Sequence, residues 1–315
     1  MIAIFYRRNG KLVVSQSETE LAKISRDDVL WIDLLSPSGE EKHTVDDFLG
    51  EEIQSRAQAE EIESSSRYSE TENAIFANTN FLMPGPEDYT MEAVSFTFVD
   101  NCLTTLRDVP LRSFTELQRR IVAKPHLYPN GYTVFVNIMD QRVDLDADMI
   151  ELMSKEIAQY SKRINQQEDI NEDFLLDINQ LQENTMIVRE NIIDKQRLIT
   201  NMIKSDKYPP ELQSRFSVIL QDITSLINHA NFSFERLEYL QETVVGLINL
   251  EQNNIMKIFT LVSVLLMPPT LVASFYGMNV PLPFMDKWWA WLLLLGVMLL
   301  TVAFVLYIFR RKKML

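Results

Sequence analysis

An uncharged stretch near the carboxyl end constrains this chain of 315 residues more than any other feature. Residues 258–276 contain no Asp, Glu, Lys or Arg, whereas charged residues are dense before residue 252. A helix of this length, at about 1.5 Å per residue, nearly crosses a hydrocarbon core about 30 Å thick. The stretch is therefore predicted to be a transmembrane helix.

One face of this predicted helix carries amide, hydroxyl and thioether groups. Steps of three and four residues define the face, which we call the polar stripe. Its members are Asn253, Met256, Thr260, Ser263, Met267, Thr270 and Ser274. One interpretation is that the small hydroxyl residues mediate helix packing or bond to a carbonyl one turn earlier. The other is that the stripe lines a water-filled pore, which requires an oligomer because two spans per chain are too few to enclose a channel.

A second apolar segment, residues 288–309, is also long enough to cross the membrane. Aromatic residues typical of membrane interfaces occur near its ends, at Trp288, Trp289, Trp291 and Tyr307. The basic tail, residues 310–315, follows and indicates a cytoplasmic carboxyl end by the positive-inside rule. We therefore expect a multi-pass protein of the inner (plasma) membrane, with both termini in the cytoplasm and residues 277–287 as the outer loop.

The residues before the spans predict an α+β protein with a cytoplasmic α/β domain. Asn9-Gly10 between two short apolar runs indicates a β-hairpin. Strand patterns at residues 29–34, 74–83, 93–99 and 103–107 alternate with helical segments, which favours an α/β layer over residues 1–133. The acidic run at residues 60–63 is more typical of a solvated face than of a metal site.

Long helices are predicted to connect this domain to the membrane. Helical periodicity indicates a helix pair over residues 134–207, and Pro209 and Pro210 end the pattern. Residues 211–276 are predicted to form one stalk helix that continues into the first transmembrane helix. At about 1.5 Å per residue, a continuous helix of about 55 to 65 residues here would be about 85 to 95 Å long. Pro268 and Pro269 remove two of its hydrogen bonds, which favours a local bend.

Composition excludes several classes of function. The formal net charge of −14 opposes binding to nucleic acid phosphates. A single cysteine, Cys102, permits neither a disulfide framework nor a thiolate metal cluster. The three histidines, His43, His126 and His229, are scattered, and no Gly-x-x-x-x-Gly-Lys loop occurs. We expect no enzyme activity and no prosthetic group.

A short run of residues at the end of the first span resembles the pattern of a known protein family. It consists of Tyr276, Gly277, Met278 and Asn279. Together with Met-Pro-Pro-Thr-Leu at residues 267–271 and Glu-Gln-Asn at residues 251–253, it resembles the CorA family of magnesium and cobalt (divalent-cation) channels. The Trp-Ile-Asp-Leu strand at residues 31–34 is also similar to that family. The resemblance implies a CorA-like funnel, a homopentamer in which stalk helices lead from cytoplasmic domains to a pore through the lipid bilayer.

The resemblance further implies how the ion is selected. Asn279, repeated around the pore axis, would offer side-chain oxygens to the water shell that Mg²⁺ holds tightly. Gly277 would permit a backbone turn, Met278 would pack behind the ring, and Tyr276 would anchor the helix end. The transported ion is thus expected to be Mg²⁺, with Co²⁺ and Ni²⁺ as further candidates and the membrane potential as the driving force.

Two further roles are hypotheses about residues before the span and at its cytoplasmic end. Met256 and Phe259 are candidates for a hydrophobic gate that stops ions by dewetting, with plain helix packing as the alternative. In the CorA family, Mg²⁺ bound between cytoplasmic domains favours the closed channel. Asp222, in the stalk segment, is our candidate for one carboxylate of such a regulatory metal site.

The outer loop departs from the family pattern, and two other functions stay open. CorA proteins usually carry an acidic Met-Pro-Glu-Leu loop after Gly-Met-Asn, whereas residues 280–287 of this chain offer only Asp286, beside Lys287. One alternative is a proton-coupled transporter of zinc or another divalent cation. The other is a membrane-anchored coiled-coil scaffold, which explains the long helices but not the polar stripe or Asn279.

Overall fold

The computed structural model describes residues 1–54, 67–85, 89–166, 170–278 and 287–311. These residues form two compact units, Met1–Gln241 and Glu242–Leu315. The acidic run at residues 60–63, the loop residues 279–286 with Asn279 and Asp286, and residues 312–315 of the basic tail lie outside the described residues.

A seven-stranded mixed sheet forms the centre of the first unit. The order of its strands is β2-β1-β3-β7-β6-β5-β4, and among these described strands only the β3–β7 pairing is parallel. Numbered along the chain, the strands are β1 (Ile2–Arg8), β2 (Lys11–Ser15), β3 (Val29–Leu35), β4 (Tyr68–Glu70), β5 (Ala74–Pro84), β6 (Tyr89–Val99) and β7 (Cys102–Arg107).

The predicted hairpin joins β1 to β2. Asn9 and Gly10 have φ angles of 54° and 75°, and Arg8 pairs directly with Lys11. Two consecutive positive φ angles give the two-residue turn whose twist matches that of the adjoining strands. The hairpin is therefore confirmed, and its turn residues explain why it forms at this point.

Helices cover both faces of the sheet and continue beyond it. They are α1 (Gly39–Leu49), α2 (Arg112–Ala123), α3 (Gly131–Gln166), α4 (Glu172–Lys204), α5 (Gln213–Tyr276) and α6 (Ala290–Arg311). On one face, Val45 and Leu49 of α1 are buried in a cluster with aliphatic residues of β1 and β3. On the other face, the ring of Trp31 stacks on Phe5 at 4.9 Å and lies 5.9 Å from Phe114 of α2.

Helix α3 begins three residues before the helical pattern predicted from about residue 134. The side chain of Asn130 accepts a hydrogen bond from the Thr133 amide at 2.9 Å, which caps the first turn. The next residue, Gly131, donates its amide to the carbonyl of Asn101 at 2.8 Å. A Cβ at Gly131 would lie 2.4 Å from the Leu103 amide nitrogen, so only glycine permits this approach of the helix to the β6–β7 turn.

Helix α5 is continuous for 64 residues and remains α-helical through Pro268 and Pro269. It confirms the predicted long helix that runs on into the first apolar span. A short 3₁₀ turn, Pro210–Leu212, precedes it where the sequence predicted a break. The bend expected at the two prolines stays a prediction.

A buried ion pair ties the parallel strands β3 and β7 together. Arg107 donates to both carboxylate oxygens of Asp33, with Nη2 at 2.7 Å and Nε at 3.1 Å. Asp33 also accepts hydrogen bonds from the Thr105 hydroxyl and from Gln118 of α2, each at 2.8 Å. Because each oxygen of this carboxylate has partners, its burial is compensated, and the sheet is fixed to α2.

A second buried charge cluster connects α3 to α4. Arg142 Nη2 lies 2.6 Å from Asp146 Oδ1, and Lys195 Nζ lies 2.8 Å from Asp146 Oδ2. Lys195 also donates to Asn191, whose Nδ2 donates to the carbonyl of Asn80 on β5 at 2.9 Å. The side chain of Lys195 is fully buried. Burial lowers the pKa of Lys195 to about 8, although Asp146 opposes the shift.

The lowered pKa of Lys195 predicts a pH-dependent stability. Between about pH 8 and the unfolded-chain pKa of about 10.4, the unfolded state binds more protons than the folded state, so stability rises with pH. The difference in unfolding free energy between wild type and Lys195→Met should change by up to about 3 kcal/mol across this window. Denaturant unfolding of the purified protein, followed by tryptophan fluorescence, measures it. Lys155→Met, at an exposed lysine of α3, is the control, and an equal response in both variants would contradict the prediction.

Candidate functional site

One side of α5 packs against α6 in the second unit. Half-buried residues recur along α5 at Leu261, Leu265, Pro268, Val272 and Tyr276. Half-buried residues of α6 recur at similar intervals, at Ala290, Leu294, Met298, Thr301 and Val305. An apolar groove between the helices is lined by side chains of both, including Tyr276 and Leu293. These two half-buried faces therefore face each other.

The polar stripe lies on the other side of α5. At about 100° per residue, its mean direction is roughly 150° from that of the half-buried face. All seven members of the stripe, from Asn253 to Ser274, are exposed. Packing of α6 therefore leaves the polar stripe uncovered within the chain.

The two threonines of the stripe bond to their own helix. Thr260 Oγ1 donates to the carbonyl of Met256 at 2.7 Å, and Thr270 Oγ1 donates to the carbonyl of Leu266 at 2.8 Å. Both bonds span four residues, as the packing interpretation of the stripe anticipates. Each hydroxyl oxygen nevertheless keeps lone pairs that can accept a hydrogen bond. The bonds thus orient the hydroxyl groups with the oxygen free to accept.

Helix α5 ends at Tyr276, at the start of the family-like run. The amide of Gly277 donates to the carbonyl of Ala273 at 2.9 Å, and the amide of Met278 donates to the carbonyl of Phe275 at 3.4 Å. A Cβ at Gly277 would lie 3.3 Å from the Ala273 oxygen, which is a tight contact. The φ angle of Gly277 is not in the left-handed region, so the backbone conformation does not require glycine here. The role assigned to Asn279 stays a prediction.

The gate candidates are among the most exposed apolar side chains of α5. Met256 is 63% exposed and Phe259 is 66% exposed. Met256 belongs to the polar stripe, and Phe259 lies at its edge by helical position. Within one chain, nothing described covers either side chain, so a gate at this level requires a partner.

The regulatory candidate, Asp222, is exposed on α5 in the first unit and lies near an acidic row on α3. Burial, followed by the carboxylates of Asp140, Asp148 and Asp222, raises the pKa of Asp144. Asp140 also lies 3.9 Å from Arg215 of α5. No group of three metal-ligating side chains occurs among the described residues. The spacing Asp140, Asp144, Asp148 is the signal by which the sequence could have shown an acidic row on one face of α3, because residues four apart share one helix face.

The fold and this site define a class of protein. In the described part of the chain, α5 and α6 are long and apolar enough to cross a membrane, and a large sheet-and-helix body precedes them. A two-span integral membrane protein with an uncovered polar stripe is typical of a transporter that works as an assembly. The family model described as "CorA-like Mg2+ transporter protein" matches residues 26–311. The chain belongs to this family of membrane transporters, as its resemblance predicted.

Similar proteins are known from several bacteria. A magnesium transport protein CorA of Wolinella succinogenes is 33% identical over the full length of both chains. A magnesium transport protein CorA of Escherichia coli K12 is 31% identical over 89% of this chain and 88% of its own. These relatives support the assignment along nearly the whole chain.

Solved structures share the fold at lower sequence identity. The complete CorA magnesium transporter of Methanocaldococcus jannaschii has a TM-score of 0.81 at 17% identity, and the match covers 99% of this chain and 98% of that one. The ZntB cytoplasmic domain of Vibrio parahaemolyticus has a TM-score of 0.58 at 14% identity, with coverage of 78% and 97%. At these identities the likeness concerns the fold alone.

Proposed function

We infer that this chain forms a homo-oligomeric channel, a pentamer by analogy with the family, through which Mg²⁺ enters the cytoplasm. This inference rests on the polar stripe of α5, which the rest of the described chain leaves uncovered. In this proposal, residues 1–133, the helix pair 134–207 and the tail 310–315 are cytoplasmic. Residues 211–276 form the stalk and first span, residues 277–287 form the outer loop, and residues 288–309 form the second span of an inner-membrane protein.

The need to hydrate the polar stripe supports an assembly. Hydrocarbon offers no hydrogen-bond partner to the side chains of Ser263 and Ser274, which lie within the uncharged span, so exposure of the stripe to lipid is costly. Helix α6 packs on the opposite side of α5 and leaves the stripe uncovered. Copies of α5 around a common axis would place every stripe against a shared column of water, with α6 between α5 and lipid.

The threonine geometry suits a hydrated cation. The hydroxyl hydrogens of Thr260 and Thr270 point to carbonyl oxygens of the preceding turn. Their oxygens therefore act towards the axis as acceptors, and the water molecules around a cation present hydrogens outward. A ring of such oxygens would stabilise a hydrated cation and offer little to an anion.

Magnesium is the ion that the family and the named relatives favour. The relatives from Wolinella and Escherichia bear the name magnesium transport protein, and Mg²⁺ gives up its water reluctantly. We propose that Asn279 forms the outer selectivity ring, with Tyr276, Gly277 and Met278 holding its backbone. Co²⁺ and Ni²⁺ are further candidates of the same charge.

The membrane potential supplies the driving force in this proposal. An inside-negative potential of 100 mV favours inward movement of a divalent ion by about 4.6 kcal/mol. Arg310 and Arg311 at the end of α6 support a cytoplasmic carboxyl end by the positive-inside rule. Since α5 and α6 cross in opposite directions, the body is then on the same side.

Met256 and Phe259 are proposed as the gate, and Asp222 as part of the magnesium sensor. In a ring, exposed thioether and phenyl groups from each copy would meet and exclude water from a narrow segment. The acidic row of Asp140, Asp144 and Asp148 gives Asp222 oxygen neighbours of the kind that Mg²⁺ prefers. Mg²⁺ bound between these carboxylates and a neighbouring subunit would neutralise their repulsion, hold the two subunits together and so favour the closed state.

A pair of isosteric substitutions tests the pore-lining role. Thr260→Val removes an acceptor oxygen from the polar stripe, and we expect about a tenfold fall in Mg²⁺ uptake, which corresponds to about 1.4 kcal/mol in the barrier. Thr301→Val is the matched control, because the Thr301 hydroxyl also bonds to its own helix, to the Met298 carbonyl at 2.8 Å, but lies on the half-buried face of α6. Uptake into proteoliposomes is measured, and equal effects of the two substitutions would contradict the proposal.

The selectivity ring predicts the effect of Asn279→Ala. Loss of the side-chain oxygen should abolish Mg²⁺ uptake while the oligomer, measured by size-exclusion chromatography with light scattering, stays intact. The reason is that the ring contacts the hydrated ion rather than the subunit core. Undiminished uptake by the assembled variant would remove Asn279 from the conduction path.

The sensor role predicts a change in feedback. Asp222→Ala should keep the channel conducting at internal Mg²⁺ concentrations that close the wild type, since one carboxylate of the site is lost. Glu238→Ala, at another exposed acidic residue of α5, should leave the closing concentration unchanged. If Asp222→Ala closes at the wild-type concentration, Asp222 does not belong to the sensor.

A further inference from the structure

A basic pocket stands out on the surface of the first unit. It has a volume of about 440 Å³ and lies between the edge of the sheet at β4 and the carboxyl-terminal half of α4. The residues that define it are Arg67, Tyr68, Asp194, Arg197 and Lys204. Among the described residues that line it, three cations and one carboxylate give a net charge of +2, whereas the whole chain carries −14. A local charge of this sign attracts anions.

The two guanidinium groups of the basic pocket are held by one carboxylate. Arg67 Nη2 lies 3.1 Å from Asp194 Oδ2, and Arg197 Nη1 lies 3.5 Å from Asp194 Oδ1. The Arg67 side chain is 17% exposed, and its Nε is buried without a hydrogen-bond partner among the described residues. Asp194 therefore positions both groups but neutralises only one charge. Planar guanidinium groups fixed in this way match the oxygens of a phosphate.

Rigid elements carry the basic pocket. The carbonyl of Arg67 accepts the amide of Asn78 on β5 at 2.8 Å, which fixes it to the sheet edge. On the other wall, Gln196 of α4 donates to the Thr224 hydroxyl of α5 at 3.2 Å. Lys204, the last residue of α4, is exposed and makes no ion pair with a described residue. Its ammonium group is therefore available to a ligand.

An aromatic ring completes the basic pocket. Tyr68 is half-buried, and its hydroxyl donates to Glu70, which holds the ring in place. A fixed phenol ring beside clustered cations provides a stacking surface for a planar base next to a phosphate site. The volume falls within the range of small-molecule pockets.

We propose that the basic pocket binds a nucleoside polyphosphate, with Arg67, Arg197 and Lys204 on the phosphates and Tyr68 against the base. Recognition is by side chains, since the sequence has no Gly-x-x-x-x-Gly-Lys loop, and no hydrolysis is involved. The proposal does not depend on ion conduction, because it concerns binding to the first unit alone.

Isothermal titration of the purified full-length protein, in buffer without Mg²⁺, tests the proposal with ATP, tripolyphosphate and adenosine as probes. ATP should bind, tripolyphosphate at least tenfold more weakly, and adenosine more weakly still. Absence of ATP binding at millimolar concentration overturns the proposal. Equal affinity for ATP and tripolyphosphate overturns the assignment to a nucleoside.

Variants locate the site without disturbing the buried arginine. Arg197→Gln combined with Lys204→Gln changes two exposed side chains and should weaken ATP binding at least tenfold. Arg112→Gln combined with Lys155→Gln removes the same charge from exposed positions elsewhere on this unit and should leave binding unchanged. Tyr68→Leu should weaken binding of ATP but not of tripolyphosphate. An equal loss in both double variants would mean that net charge, rather than the basic pocket, attracts the nucleotide.

Discussion

Hydrocarbon offers no hydrogen-bond donor to the hydroxyl oxygens that α5 carries through its apolar span, and the proposed architecture follows from this constraint. Helix α6 packs against the half-buried face that includes Leu265 and Val272, roughly opposite the polar stripe by helical geometry. A single chain therefore has one covered face and one uncovered polar face. In the proposed assembly, identical copies of α5 around an axis place their polar stripes against water instead of lipid. The same water column provides a path for an ion.

The soluble body meets a different constraint, because several charged side chains are buried in it. Asp33 is satisfied by Arg107, Thr105 and Gln118, and Asp146 lies between Arg142 and Lys195. Removing one partner of such a cluster leaves an uncompensated buried charge, which lowers the free energy of unfolding by about 3–5 kcal/mol. These contacts join strand to strand, sheet to α2 and α3 to α4, so they specify how the layers of the body are paired.

Local patterns in the sequence predicted much of this fold. The Asn9-Gly10 turn, the long helices and the apolar spans each depend on neighbours within a few residues, and they are confirmed. The buried partners were missed because they are distant in sequence: Asp33 and Arg107 are 74 residues apart. The burial of Lys195 was missed for a different reason, because a lysine in an amphipathic helix is typical of a solvated face. The order of strands and the single parallel pairing also depend on contacts that no local pattern contains.

The candidate site was predicted unevenly. The polar stripe follows from helical periodicity, and its exposed side is opposite α6. The roles of its members, of the gate pair and of Asp222 stay predictions, and Asn279 lies outside the described residues. The acidic row near Asp222 was missed, although Asp140, Asp144 and Asp148 recur every four residues. Its significance depends on α3 lying beside α5, which is a tertiary contact.

Ion flux into vesicles that contain the purified protein tests the central claim most directly. The flux of Mg²⁺ and the flux of Zn²⁺ are each measured under two conditions. One condition imposes only an inside-negative potential, and the other imposes only a proton gradient. The account predicts Mg²⁺ flux that follows the potential and needs no proton gradient. Zn²⁺ flux that requires the proton gradient, without Mg²⁺ flux, would contradict it in favour of a coupled transporter, and the absence of any flux would favour a scaffold.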